Sequence, residues 1–210
     1  MSDAVYLGNT YEVTFSPQLE PPAFLKRPII IIVNSFTPDG VAAFESYLRE
    51  AQDSGQDRVQ IHIDTFGGDM YCLLGMLEAM DQCTIPIDTV CTTKAMSAGA
   101  ILFALGDKRY MSKYSTLMLH DCQQDIPAGT AVATISEHVN EGMRCRVTAD
   151  TLIDKRRGRE PGTITKEIDK HGSWFLTAKE SLLEGLCDII GPAPTLMIEI
   201  SCDMWSKNAD

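Results

Sequence analysis

A serine and a histidine, 23 positions apart, each follow a predicted buried strand. Ser97 lies at a corner between a strand and a helix that begins with small residues, and His120 ends the apolar stretch of residues 116–120. No other Ser/His pair in the sequence has both partners at the exits of predicted core strands. A serine hydroxyl becomes a good nucleophile when a positioned base takes its proton. The pair therefore predicts nucleophilic catalysis.

Backbone N–H groups beside the serine complete the pattern, because the oxyanion that forms during acyl transfer needs hydrogen-bond donors. Ala98 begins the predicted helix of residues 98–105, so its N–H is free. A second donor is expected at Gly67-Gly68, another strand-to-helix junction. Either motif alone is more often ordinary packing or a tight turn. Their combination with His120 favours an active site.

Other polar residues carry less functional signal. His62 lies between two isoleucines and is interpreted as a core or interface histidine, and Asp150 and Asp154 as a solvated helix face. The sequence contains no metal-ligand spacing and no phosphate-binding G-x-x-x-x-G-K loop. A structural metal and a nucleotide cofactor are therefore not expected.

The bulk composition predicts one globular domain. The chain has 210 residues, 44% of them hydrophobic, and a net charge of -11, which argues against nucleic acid as a partner. Its seven cysteines include no C-x-x-C and favour free thiols in a reducing compartment. No signal peptide and no membrane-spanning run is recognised, so we expect a cytoplasmic protein without a membrane partner.

Strand and helix patterns alternate and predict a largely parallel sheet wrapped by helices. The predicted strands are residues 29–33, 59–64, 88–92, 109–111 and 116–120, and the predicted helices are centred on residues 41–51, 73–80 and 101–105. The run of residues 29–33 is continuously β-branched, which is typical of a strand covered on both faces.

The remaining segments have a different character. Residues 5–7 and 11–15 predict a hairpin, followed by a proline-rich connector that ends at residue 28. Apolar residues at helical spacing predict one helix over about 130–155, longer than a core needs and suited to an oligomer contact; they are Val132, Ile135, Val139, Met143 and Val147. Thr177 and Glu180 form a predicted capping box, and residues 195–200 a terminal strand.

Taken in order, four segments resemble the proteolytic subunit of the Clp proteases, ClpP, over roughly residues 29–190. They are Ile63-Asp64-Thr65-Phe66-Gly67-Gly68, Ala95-Met96-Ser97-Ala98-Gly99-Ala100, Ser115-Thr116-Leu117-Met118-Leu119-His120 and the segment from Phe175 to Asp188. The resemblance implies an α/β fold of crotonase-like ββα repeats. It also implies a projecting handle helix near residues 124–160, an N-terminal hairpin forming an axial loop within residues 1–28, and a single peptidase domain over residues 29–210.

The resemblance implies roles for individual residues. Ser97 becomes the nucleophile, His120 the general base, and the amides of Gly68 and Ala98 the oxyanion hole. An extended peptide substrate would pair as an added strand with three residues: Gln123, Gln124 and Asp125.

The resemblance also implies an assembly and a partner. Two seven-membered rings would stack into a tetradecamer around a closed chamber, and an ATP-driven AAA+ unfoldase would feed it unfolded polypeptides. ATP would be used by that partner, so no cofactor is expected in this chain. The implied activity is that of a serine endopeptidase.

The third member of the triad departs from the family pattern. Family sequences have an aspartate, preceded by an arginine, where this chain has Ser173 and Gly172. A serine hydroxyl accepts the imidazole N–H but brings no charge to stabilise an imidazolium. Asp169 and His171 are alternatives, whereas Asp121 is not expected to serve, because successive strand side chains point to opposite faces.

Three further interpretations stay open. The departure at Ser173 is compatible with a catalytically weak or inactive ClpP-like ring subunit. A specialised processing protease would use the same site on one dedicated substrate. An acyl-CoA enzyme on the crotonase framework would need a carboxylate acid/base in the cleft and would not need Ser97 and His120.

Overall fold

A computed structural model describes the backbone of residues 4–7 and 11–14, and residues 29–123 and 126–194. The chain divides into two units, residues 1–28 with 194–210, and residues 29–193. In the first unit, β1 (Ala4–Leu7) and β2 (Tyr11–Thr14) pair antiparallel where the sequence predicts a hairpin. The connector and the predicted strand 195–200 lie outside the described residues.

The second unit is built on a seven-stranded, mostly parallel sheet. Its strands are β3 (Ile29–Val33), β4 (Val59–Thr65), β5 (Ile87–Met96), β6 (Lys108–Met111), β7 (Thr116–His120), β8 (Ser173–Thr177) and β9 (Ile189–Ile190). Its helices are α1 (Pro38–Asp53), α2 (Met70–Gln82), α3 (Ala98–Ala104), α4 (Val132–Arg156), α5 (Thr163–His171) and α6 (Ala178–Leu183). The α/β prediction is confirmed, as is the capping box of Thr177 and Glu180. The sequence did not predict α5, β8 or β9.

The longest strand, β5, pairs with two neighbours in succession. Residues 88–91 pair with β6, and residues 94–96 pair with β7, both in parallel. Strand β4 lies on the other side of β5, with a register shift between Ile63 and Thr65. Because parallel strands present the same ends at one edge, the carboxyl ends of β4, β5 and β7 meet there. This is the edge at which ligands bind in α/β sheets.

A hydrophobic core fills the space between one face of the sheet and the helices. Its largest fully buried side chains are Phe44, Phe103, Leu48, Ile61, Ile63, Leu73, Met76, Leu102, Met111, Leu117, Ile153 and Ile164. Each such side chain contributes roughly 1.5–3 kcal/mol by leaving water. The core therefore gives the edge that carries the strand exits a rigid support.

Strand β3 corrects one prediction. It was expected to be covered on both faces, but Ile32 is 71% exposed and Ile30 is also exposed, whereas Ile31 and Val33 are buried. The reason is that the described residues cover only the face of β3 that carries Ile31 and Val33, and among the described strands β3 pairs with β4 alone. The β-branched run thus predicted the strand correctly but wrongly predicted that both of its faces are covered.

Helix α4 has 25 residues, and the apolar residues that predicted it lie outside its buried face. The apolar residues that predicted the helix include Val132, Val139, Met143 and Val147, and these are exposed. The buried stripe begins only at residue 142 and comprises Gly142, Cys145, Arg146, Ala149, Asp150, Ile153 and Asp154. Within the described residues, every helix is too short or too polar to cross a lipid bilayer.

The expectation that Asp150 and Asp154 form a solvated face is wrong, because both are buried. Asp154 accepts the backbone N–H groups of Thr163 at 2.8 Å and Ile164 at 3.1 Å, the first two residues of α5. The residue before them is Gly162, which has no side chain to cap the helix. Asp154 therefore supplies from α4 the cap that α5 lacks locally.

Replacing Asp154 by alanine should lower the free energy of unfolding by about 2–4 kcal/mol. The change leaves the buried Ile164 N–H without its acceptor and takes from the Thr163 N–H the closer of its two acceptors, the other being the Glu160 carbonyl at 3.2 Å. It also removes a carboxylate 3.7 Å from the buried Arg157 guanidinium. Chemical denaturation measures the effect. Asp53→Ala, at the exposed end of α1, is the matched control and should be nearly neutral. Equal losses in both variants would contradict this capping role.

Candidate active site

Ser97 occupies a strained corner between β5 and α3. Its φ of 54° and ψ of −125° make it the one non-glycine residue with positive φ in the described chain. Its N–H donates to the Met118 carbonyl at 2.8 Å, and its own carbonyl accepts from Ala100 at 2.9 Å and Ile101 at 3.2 Å. Such conformations cost about 1–3 kcal/mol and cluster at functional sites. The backbone of Ser97 is thus fixed from both sides.

The Ser97 hydroxyl does not cap the helix that follows it. Serine is a favoured residue at the start of a helix because its oxygen accepts from the first turn. Ser97 holds this position before α3, yet its side chain makes no capping hydrogen bond. A cap has therefore been forgone at a strained residue, which is the arrangement expected of a nucleophile rather than of a structural serine.

His120 lies at the neighbouring strand exit. Met96 on β5 pairs with Met118 on β7, so the chain emerges at Ser97 and at His120 side by side. Both residues line one cavity of about 410 Å³. In the described part of the chain no direct hydrogen bond joins the Ser97 hydroxyl to the imidazole. Catalytic hydrogen bonds are often long before substrate is bound, so the absence of this bond among the described residues is compatible with base catalysis.

Two backbone N–H groups near Ser97 are free to donate. The N–H of Gly67 is occupied, because it donates to Thr65 Oγ1 at 3.1 Å. Those of Gly68 and Ala98 have no protein acceptor among residues 29–123 and 126–194. Gly68 also lines the cavity, whereas Ala98 is buried behind it. The predicted oxyanion hole stays a prediction, and the pattern of occupied and free amides is compatible with it.

Glycines allow the strand exits to approach each other. A Cβ on Gly67, which has a φ of 110°, would lie 2.6 Å from the Ser97 Cβ. A Cβ on Gly99 would lie 2.3 Å from Thr65 Cγ2. Real Cβ atoms do not come this close, so these two junctions require residues without a side chain. The close approach brings the β4 exit beside Ser97.

The position expected to hold the third catalytic group faces His120. His120 and Ser173 are partners in the antiparallel β7–β8 ladder, so their side chains lie on the same face of the sheet. The alternatives are engaged elsewhere: Asp169 accepts from Arg146 at 2.7 Å, and His171 stacks on Trp174 with ring centroids 6.1 Å apart. Ser173 remains the positional candidate, and its role stays a prediction.

Asp121 does not follow the alternation that was expected to turn it away. Strand β7 ends at His120, so Asp121 lies beyond the pleat, and both residues line the cavity. The Asp121 carboxylate is 3.0 Å from the Arg146 guanidinium and accepts the Cys122 N–H at 2.8 Å. It is therefore engaged by Arg146 rather than turned to the opposite side of the sheet.

Arg146 is the cavity residue that sequence reasoning missed. Its side chain is only 6% exposed, and its guanidinium lies within 4 Å of three carboxylates, those of Asp121, Asp150 and Asp169. Burial opposes its charge, but these carboxylates outweigh burial and raise the pKa of Arg146. The available signal was the (i, i+4) spacing of Arg146 and Asp150 on the same helical stripe as Ala149 and Ile153.

Cysteines in the cavity are poor competitors for the role of nucleophile. Cys122 and Cys145 both line it, and burial raises the pKa of each thiol. A protonated thiol is a weak nucleophile. All six cysteines in the described residues are free, as the sequence predicted.

The outer wall of the cavity is acidic but paired. Arg144 holds the pKa of Glu141 to about 2, helped by the Tyr71 hydroxyl, which donates to Glu141 at 2.9 Å. Within the described chain no group of three or more His, Cys, Asp or Glu side chains is arranged to hold a metal ion.

The other predicted residues lie as follows. Gln123 is exposed and lines the cavity, while Gln124 and Asp125 lie outside the described residues. The ring of His62 is 3.1 Å from the Gln60 amide oxygen, and burial lowers the pKa of His62. His62 does not line the cavity, which agrees with its interpretation as a satisfied histidine.

The family model described as Clp protease matches residues 23–193. ATP-dependent Clp protease proteolytic subunit 3, chloroplastic, of Arabidopsis thaliana is 29% identical over 82% of this chain and 56% of its own length. The chain thus spans little more than half of that relative.

Two bacterial relatives are covered more fully. ATP-dependent Clp protease proteolytic subunit 1 of Prochlorococcus marinus subsp. pastoris is 29% identical over 79% of this chain and 84% of its own length. Proteolytic subunit 4 of Rhodococcus jostii is 26% identical over 77% of this chain and 83% of its own length.

Replacing Gly99 by alanine should lower the free energy of unfolding by roughly 1–3 kcal/mol, because the added methyl group overlaps Thr65 Cγ2. Thr65→Ser removes that methyl group and keeps the hydroxyl that binds Gly67. The double variant should therefore recover part of the loss, which a double-mutant cycle by chemical denaturation measures. Strictly additive changes in the free energy of unfolding would show that the methyl groups at positions 65 and 99 do not overlap.

Proposed function

The chain belongs to the Clp protease family, and on that premise we propose that it is a serine endopeptidase of this family. One observation carries the proposal. Ser97 is held in a strained corner, its hydroxyl does not cap the helix that follows, and it shares a cavity with His120 at the adjacent strand exit. A core residue selected only for packing would not need this conformation.

The chemistry follows from the positions of four groups. Ser97 Oγ attacks the carbonyl carbon of the peptide bond while His120 takes the hydroxyl proton. The amides of Gly68 and Ala98 donate to the oxyanion that forms. His120 then gives the proton to the leaving amine, and water hydrolyses the acyl-enzyme along the same route. Small neighbours at Gly67 and Gly68 leave room for the substrate chain.

The third group is the weak point of the triad. Ser173, opposite His120 across the β7–β8 ladder, offers an oxygen to the imidazole N–H but no charge. It would hold the correct tautomer without stabilising the imidazolium. We therefore expect an enzyme slower than one with a carboxylate at this position.

Assembly and partners belong to the same proposal. An extended substrate would pair with residues 123–125, and two seven-membered rings would enclose the chamber. The exposed apolar residues of α4 support a contact between subunits: Val139, Met143 and Val147. The β1–β2 hairpin would line an axial pore. An ATP-driven Clp unfoldase would deliver the substrate, and a reducing compartment suits the free thiols.

A second function has a specific observation in its favour. The absence of a direct Ser97–His120 hydrogen bond in the described chain, together with the uncharged Ser173, suits a ring subunit that has little or no activity. A fluorophosphonate probe separates the two functions, because it reacts only with an activated serine. No labelling of Ser97 in the assembled protein would favour the structural subunit.

Ser97→Ala should lower hydrolysis of a short quenched peptide by roughly 10⁴- to 10⁶-fold and abolish fluorophosphonate labelling. The oligomer should stay intact, as measured by size-exclusion chromatography, because the change removes one hydroxyl that makes no capping bond. Ser46→Ala, an exposed position on α1, is the matched control and should keep full activity. Unchanged turnover in Ser97→Ala would remove the serine-protease function.

Ser173→Asp should raise kcat by about 10-fold, since it places a charge opposite His120. Ser173→Asn has nearly the same shape without the charge and should gain much less. Steady-state hydrolysis of the same peptide measures both. Equal gains would assign the effect to hydrogen bonding alone, and no gain in either would show that the third group lies elsewhere.

A further inference from the structure

We propose that Arg146 is a positioning residue for His120, holding the general base in place from the cavity wall. This inference rests on the proposed function, because it concerns the same base. It deepens that function by naming how a chain without the charged residue expected at position 173 keeps its imidazole oriented.

The guanidinium of Arg146 connects three elements that frame the histidine. Its Nη1 lies 3.0 Å from Asp121 Oδ1, on the residue that follows His120. Its Nη2 donates to Asp169 Oδ1 at 2.7 Å and to the Thr165 carbonyl at 3.3 Å, both on α5. Its Nε faces Asp150 on α4 itself, 3.4 Å from Oδ2.

The topology explains why these contacts matter for His120. The pair of His120 and Ser173 is the last in the β7–β8 ladder, and beyond it the two chains diverge. One leads to Asp121, and the other comes from the last turn of α5, which carries Asp169. Terminal pairs of a ladder fray unless something ties them together. Arg146 bonds to both diverging segments and so closes the open end of the ladder.

The chemistry of the side chain suits this position. A guanidinium is planar, carries five donors and can face several acceptors at once, which an ammonium cannot. The side chain is almost fully buried, while the Asp121 and Asp169 side chains are 57% and 63% exposed. A buried cation between partly solvated carboxylates keeps its partners in fixed directions. Arg146 thus sets the backbone on both sides of the imidazole.

If Arg146 acts by positioning His120 and not by binding substrate, its loss should change kcat and leave KM nearly unchanged. A small displacement of the general base slows the chemical step and leaves substrate binding largely unchanged. Arg146→Met should therefore lower kcat by about 10- to 100-fold with KM within about 3-fold of the unmodified chain. The kcat of Arg146→Lys should lie between those of Arg146→Met and the unmodified chain, because lysine engages one carboxylate at a time.

Two further variants separate positioning from stability. Asp121→Asn weakens only the ion pair between Arg146 and the residue after His120, and it should also lower kcat at unchanged KM. Thr165→Val removes the 2.6 Å hydrogen bond to Asp150 in the same cluster. It keeps the ion pairs of Arg146 with Asp121 and Asp169, so it should lower stability and keep kcat. Arg49→Met, an exposed ion pair on α1, is the control for losing a guanidinium.

The experiment measures peptide hydrolysis, the rate of fluorophosphonate labelling and the denaturation midpoint on the full-length oligomer. A fall in kcat and in labelling rate for Arg146→Met and Asp121→Asn, with neither change in Thr165→Val, supports the inference. Wild-type kcat in a folded Asp121→Asn overturns it, and so does a rise in KM alone. Absent labelling of the unmodified chain would instead remove the proposed function.

Discussion

One hydrogen bond fixes the relation between the two strand exits: the Ser97 N–H donates to the Met118 carbonyl at 2.8 Å. It extends the β5–β7 ladder by one residue and sets Ser97 against the strand that ends at His120. A slip of one residue would turn the imidazole to the other face of the sheet. The cavity, the free amides and the Arg146 contacts all presuppose this register.

Strain and close packing at the corner are supported by the layer beneath. The positive φ of Ser97 and the missing side chains at Gly67 and Gly99 each cost folding free energy. The buried residues of β4, β5 and α3 supply the rigid surroundings that hold the corner in this conformation; among them are Ile63, Ala95 and Leu102. The arrangement resembles other sites in which a stable sheet carries a reactive residue at its edge.

Sequence reasoning predicted the elements better than their surroundings. A continuous β-branched run identified β3, the period of 3.6 residues identified α1 and the long α4, and the strand ends placed Ser97 beside His120. Neither signal reports what covers a second face, so the exposure of Ile32 was not predicted, whereas the exposed apolar stripe of α4 is compatible with the oligomer contact expected of that helix. The Arg146 cluster joins residues from three elements, and such contacts become visible only when the chain is folded.

Helix α4 presents two faces that cannot move independently. Within two turns it carries Cys145, Arg146 and Ala149 on the cavity wall, and Met143 and Val147 on the outside. A rigid helix transmits a tilt imposed on one side to the other. By linkage, a partner on the outer stripe that changes the affinity of the cavity for a ligand has its own affinity changed by that ligand to the same degree. Occupancy of the cavity and a contact on the outer stripe would then both report the tilt of this one helix.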